Sequence, residues 1–152
     1  MKTTILASVM TAFVLLWGAA SASAQQFGTE AEAKAMLDRA ATELRAGEAP
    51  AIAKFNDKEN KSFRDRDLYV FCYNTSDGKF TAHPNPALMG SDIRGLKVGD
   101  EALGQKIWDS AKPGAVSAVN YNFPKPGTTN AVPKESFVTV VGGQGCGVGY
   151  YK

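Results

Sequence analysis

The run "LYVFCYNTSDGKFTAHPNPALMGSDI", Leu68 to Ile93, changes character three times. It opens with a stretch that is apolar on both parities. Leu68, Val70 and Cys72 point to one side, and Tyr69, Phe71 and Tyr73 to the other, because side chains alternate along a strand. A strand that is apolar on both faces is covered on both faces, which predicts a central position in a sheet. "NTSDG" is turn chemistry, with Asp77-Gly78 suited to a hairpin. "KFTAH" is the return strand. His83, the one histidine of the chain, stands where this strand ends. Pro84 and Pro86 then forbid further regular pairing.

Upstream, "GTEAEAKAMLDRAATELRAGEAP" reads as a helix. Thr29 caps it, and Glu32 completes a capping box. Ala33, Met36, Leu37, Ala40 and Leu44 recur at helical spacing, and Gly47 is a fitting stop. Pro50 starts a second short helix that uses Ile52 and Phe55. "NDKENKSFRDRD" reads as a solvated, charged connector, and that reading covers Asp65 and Asp67. Downstream, "DEALGQKIWDSAK" is a short helix with Leu103 and Ile107 on its inner face. "GAVSAVNYNF" alternates, with Val119, Tyr121 and Phe123 on one side. A Pro/Gly loop follows, then the strands "ESFVTVV" and "QGCGVGYYK". This order predicts an α+β domain with a five-stranded antiparallel sheet.

The ends set the compartment. Lys2, an uncharged run from Ile5 to Trp17 and the small residues Ala22-Ser23-Ala24 form a signal-peptide pattern. The expectation is a leader over residues 1–24 and one exported domain over 25–152, periplasmic or secreted. The apolar run is short for a stable membrane span. Without Lys2, the 17 basic residues become 16, against 15 acidic ones. So balanced a chain gives no electrostatic reason to bind nucleic acid or an anionic membrane. An even cysteine count in an oxidising compartment points to a disulfide, with two buried thiols as the alternative. A zinc site would need more ligands than Cys72, Cys146 and His83 supply.

The order of these pieces resembles the type 2 single Cache domain of bacterial extracytoplasmic sensors. An aromatic-rich strand is followed by the D-G turn and an A-H-P step. The resemblance continues through "VNYNFPKPG", "VPKESFVTVV" and "GCGVGYYK", and it spans Ala31 to Tyr151. It implies a PAS-like sheet with the long N-terminal helix across one face and a small-molecule pocket on the other. Members bind short carboxylates such as acetate, propionate, lactate or pyruvate. They sit between two membrane spans in chemoreceptors and histidine kinases, whereas this chain stops at Lys152. The expectation is therefore a stand-alone sensing module that works through a separate membrane receptor or histidine kinase. The chain also has Phe123 where the family often has Trp, and Phe137 where Tyr is common.

A carboxylate needs a cation or several donors, and an apolar wall for its carbons. Lys134, entering a strand opposite Tyr121, is the candidate cation, although lysines are mostly surface residues. His83 and Tyr121 are candidate donors, and Tyr69, Phe71 and Phe123 candidate walls. For each aromatic the plain alternative is an ordinary core position. No Gly-x-Ser-x-Gly elbow, HExxH or phosphate loop occurs. No catalytic residue, metal or cofactor is assigned, and the chain is read as a non-enzyme. The competing reading is a structural or interaction domain whose pocket is filled or vestigial. In the PAS-like arrangement the first and last strands are neighbours, which would set Cys72 and Cys146 opposite each other as a disulfide.

Overall fold

The computed structural model describes residues 26–125 and 127–152. The predicted leader lies outside the described residues. Two helices come first: α1 (Glu30–Ala46) and α2 (Glu48–Asn56). The strands are β1 (Arg64–Asp65), β2 (Leu68–Asn74), β3 (Phe80–Ala82), β4 (Ser117–Pro124), β5 (Ala131–Val141) and β6 (Gln144–Tyr151). Helix α3 (Leu103–Ser110) stands between β3 and β4.

Thr29 caps α1 as its sequence predicts. Its hydroxyl accepts from the N–H of Glu32, and the Glu32 carboxylate accepts from the N–H of Thr29. Such reciprocal caps are worth about 1 kcal/mol. α2 begins at Glu48, two residues before the expected Pro50.

The main sheet runs β3-β2-β6-β5-β4, with every pairing antiparallel. β2 is central, and both its faces are buried, as its double apolar parity requires. To these five expected strands the structure adds β1, which pairs Arg64 with Tyr69 and Asp65 with Leu68. This hairpin lies in the run read as a solvated connector. Arg66 makes the reversal with a φ of 53°, the one non-glycine residue in that region among those described. Its guanidinium is held by Glu32, by Asp65 and by the carbonyl of Phe27. Asp67 corrects the connector reading more sharply: it is 5% exposed, and its Oδ1 accepts the N–H of Gly28 at 2.6 Å.

The sheet separates two cores. On one face α1 lays Ala33, Met36, Leu37, Ala40 and Leu44 against Leu68, Val70, Cys72, Cys146 and Val148. Burying a side chain such as Leu or Met contributes about 1.5–3 kcal/mol, so this helix is fixed by its apolar stripe. Cys72 pairs with Cys146 in register, their Cα atoms 4.1 Å apart, and the two form a disulfide. On the other face Ile93, Leu103 and Ile107 close over Phe71, Tyr73, Phe80 and Val138.

Candidate functional site

The site face is built by alternation on four strands. β2 presents Tyr69 and Phe71, β4 presents Tyr121 and Phe123, and β5 presents Lys134, Ser136 and Val138. Strand β6 contributes Gly145, Gly147, Gly149 and Tyr151 in the same parity. These glycines leave the room that their neighbours occupy. A Cβ on Gly145 would strike the Tyr73 ring, and one on Gly147 would lie 2.5 Å from the Phe71 ring. On Gly149 it would collide with the Ser136 hydroxyl and sit 2.8 Å from Cε of Lys134. Lys134 lies across the space that Gly149 leaves free.

Lys134 pairs in register with Tyr121 on one side and Tyr151 on the other. It is 2% exposed. Its Nζ lies 4.5 Å from the centre of the Tyr151 ring, 4.9 Å from that of Tyr69 and 5.3 Å from that of Phe123. A desolvated ammonium over an aromatic face gains about 2 kcal/mol. The only oxygen in reach among the described residues is the Tyr69 hydroxyl, at 3.5 Å, the long limit for such a contact. Burial pushes the ammonium down to about 8, while the charge of Asp67 pulls the other way. An ammonium has three donors, so this one is short of acceptors.

His83 follows Ala82, the last residue of β3. Its Nδ1 accepts the N–H of Asn85 at 2.9 Å. Burial pushes it down to about 4, and the charge of Lys134 acts in the same direction. The ring is therefore neutral near pH 7, and with Nδ1 accepting, its proton is assigned to Nε2, a donor. The ring meets Tyr69 and Phe80 edge-on, 5.4 Å from each. Tyr121 shares a 2.7 Å hydrogen bond with the Ser136 hydroxyl, and burial raises its phenol above the ordinary range.

Two cavities adjoin here. The inner one is about 30 Å³ and is lined by Tyr69, Phe71, His83, Tyr121 and Phe123 together with apolar residues of α3 and its approach. That is close to one water molecule's share of the liquid, roughly 30 Å³. The outer pocket is about 340 Å³. It shares the wall of Tyr69, His83, Leu88 and Phe123, and adds Asp67, Tyr151, Arg64 and Arg66. Five of the six candidate residues thus surround one small cavity. Lys134 lines neither space and stands behind the ring wall, touching Tyr69 and Phe123.

Sequence reasoning did not single out Tyr151, Ser136 or Asp67 as parts of this site. For Tyr151 the signal existed: placing Cys146, Val148 and Tyr150 on the core face puts Tyr151 on the other. Its hydroxyl donates to the carbonyl of Pro124 at 2.6 Å, which stands the ring up beside Lys134. Among the described residues no cluster of His, Cys, Asp and Glu could hold a metal ion, and no helix is long and apolar enough to cross a membrane.

Residues 2–150 match the family described as Single Cache domain 2. No curated protein matches the chain. Among solved structures, a periplasmic sensor domain of a chemotaxis protein is 27% identical, with a TM-score of 0.58, covering 80% of this chain and 88% of that one. A Cache chemosensory domain solved for the structural basis of carboxylic acid recognition is 25% identical, with a TM-score of 0.55, covering 76% and 83%. A methyl-accepting chemotaxis protein from Vibrio parahaemolyticus RIMD 2210633 shares the fold at 21% identity, with a TM-score of 0.61, covering 80% and 86%.

Proposed function

This chain belongs to the single Cache domain 2 family, and from that premise we propose that it is an exported sensor module that binds a short carboxylate. The observation that carries the reading is Lys134: a buried ammonium with three aromatic faces around it and one distant hydroxyl as its acceptor. A buried cation with no carboxylate in hydrogen-bond reach is costly, and an anionic ligand relieves that cost. The solved relative concerned with carboxylic acid recognition supports the same class of ligand.

In this reading the carboxylate enters the outer pocket past Arg64. One oxygen accepts the Tyr69 hydroxyl proton, which is free to point outward because Lys134 donates to the oxygen. The other accepts from Nε2 of His83. Phe123 and Leu88 cover the ligand carbons, and Tyr121 and Phe71 back the inner cavity, which has room for one methyl group. Bound ligand ties the Pro84–Leu88 segment to the sheet, and a separate membrane receptor or histidine kinase reads that change. Export by cleavage after Ala24 places the domain in the periplasm or outside the cell. Intact-mass measurement of the protein recovered from the exporting cell tests this, and a species that keeps Met1 overturns it.

The inner cavity favours one competitor. At about 30 Å³ it is nearly closed by its own side chains, as a domain serving only structure or protein interaction would have it. A thermal-shift screen with acetate, propionate, lactate and pyruvate separates the two. Ligand binding to the folded state raises the melting temperature by mass action. The sensor reading expects a rise with at least one acid, and an acid in the mass spectrum of freshly purified protein. No shift and no released acid leave the filled-pocket reading in its place.

A further inference from the structure

The wall of the outer pocket holds a second group with an unmet hydrogen bond. Asp67 closes the β1–β2 hairpin and lines that pocket. One of its oxygens holds the N–H of Gly28. The other, Oδ2, is buried and has no hydrogen-bond partner among the described residues. A buried acceptor left without a donor is destabilising, and more so when the group is charged. The field of this carboxylate reaches Lys134, Tyr69 and Tyr151, which are the residues that define the cation side of the site. One end of the site thus lacks an acceptor for an ammonium, and the other lacks a donor for a carboxylate.

A plain carboxylate satisfies Lys134 and is repelled by Asp67. A hydroxyl on the ligand supplies a neutral donor to Oδ2 but leaves its charge unmatched. An ammonium supplies both the donor and the charge, and charge-assisted hydrogen bonds are roughly twice as strong as neutral ones. We propose that the ligand is a zwitterion, a small amino acid whose carboxylate is held by Tyr69 and His83 on the Lys134 side while its ammonium binds Oδ2 of Asp67. The outer pocket, about 340 Å³, has space for a side chain beyond the α-carbon. The inference rests on the carboxylate reading of the site and narrows it. It also gives Asp67 a selective role, because an unpaired carboxylate at the pocket wall penalises acids without an amine.

Calorimetry of the full exported chain at pH 7 with propionate, lactate and alanine tests this. The three probes share a three-carbon acid skeleton and differ in carrying hydrogen, hydroxyl or ammonium at the α-carbon. Alanine is expected to bind at least tenfold tighter than propionate, and lactate to fall between them. In Asp67→Asn the advantage of alanine should disappear while propionate binds as well as before or better. The wild-type series stands alone if that variant does not fold. Propionate or lactate binding as tightly as alanine overturns the zwitterion and leaves the carboxylate reading intact. No binding of any of the three overturns both.

Discussion

The two faces of the sheet are made by the same strands and do opposite things. Along β6, Cys146, Val148 and Tyr150 face α1, while Gly145, Gly147, Gly149 and Tyr151 face the site. On the α1 face the β6 positions carry side chains packed into the core, and the two central strands are joined covalently. On the other, the absent glycine side chains become space, and that space takes in rings and an ammonium short of acceptors. One face supplies stability so that the other can carry groups that reduce it. Unpaired buried charge is tolerable in a domain of this size only when the rest of the core has stability to spare.

The largest test of this contrast is the covalent one. Replacing both cysteines with alanine is expected to lower unfolding stability by about 4 kcal/mol, the chain-entropy value for a loop of this length. Urea denaturation measures it, and thiol labelling of the oxidised, denatured protein should find no free thiol. Ligand affinity should change little at a temperature where the variant stays folded. Loss of binding in that folded variant would break the division of labour.

Lys134→Met is expected to act with opposite signs on the two properties. It removes a desolvated charge from the interior, so the denaturation midpoint should hold or rise. It also removes the cation behind Tyr69, so carboxylate affinity should fall by about 1.5–3 kcal/mol, or 10–150-fold. A variant that loses stability and keeps affinity would assign Lys134 to the structural face. Gly147→Ala should cost about 1–3 kcal/mol of stability through overpacking against Phe71 and Val138. Its thermal melt and binding isotherm should fall together, since the new methyl occupies the wall of the site.

The smallest effects are in the pH profile. Lys134 is near 8 in the folded chain, against 10.5 as a free side chain. Between those values the unfolded chain binds more protons, so this group makes stability rise with pH. The advantage of Lys134→Met over the wild type should therefore shrink from pH 8 upward, and wild-type affinity for carboxylates should fall over the same interval. His83 is near 4, against 6.5 unfolded. Its contribution is complete above pH 6.5 and is lost on acidification toward 4. A His83→Gln variant should show a flatter melting profile in that interval.

Much of this was legible in residue order, and the rest was not for identifiable reasons. The double parity of Leu68–Tyr73 gave a central strand, and the Thr29/Glu32 pair gave the start of α1. The opposition of Cys72 and Cys146 followed from family resemblance rather than spacing. Asp67 was misread because its neighbours are charged. Its burial depends on the Gly28 N–H, 39 residues away, and on a hairpin turned by Arg66 at positive φ. No pattern of period two reports either. The volume of the inner cavity was also out of reach, since it depends on rotamers contributed by several elements.

The disulfide has a consequence for biosynthesis. Cys146 follows Cys72 by 74 residues. At about 5–20 residues per second, synthesis leaves the Cys72 thiol without its native partner for roughly 4–15 s. No shorter nascent chain can make the native crosslink. A closed bond between these positions certifies that the chain has been made through Cys146 and that the start of β6 has met β2. Oxidation of the pair, followed by electrophoretic mobility in pulse-labelled cells, would therefore time the arrival of the strand whose glycines make room for Phe71 and Lys134.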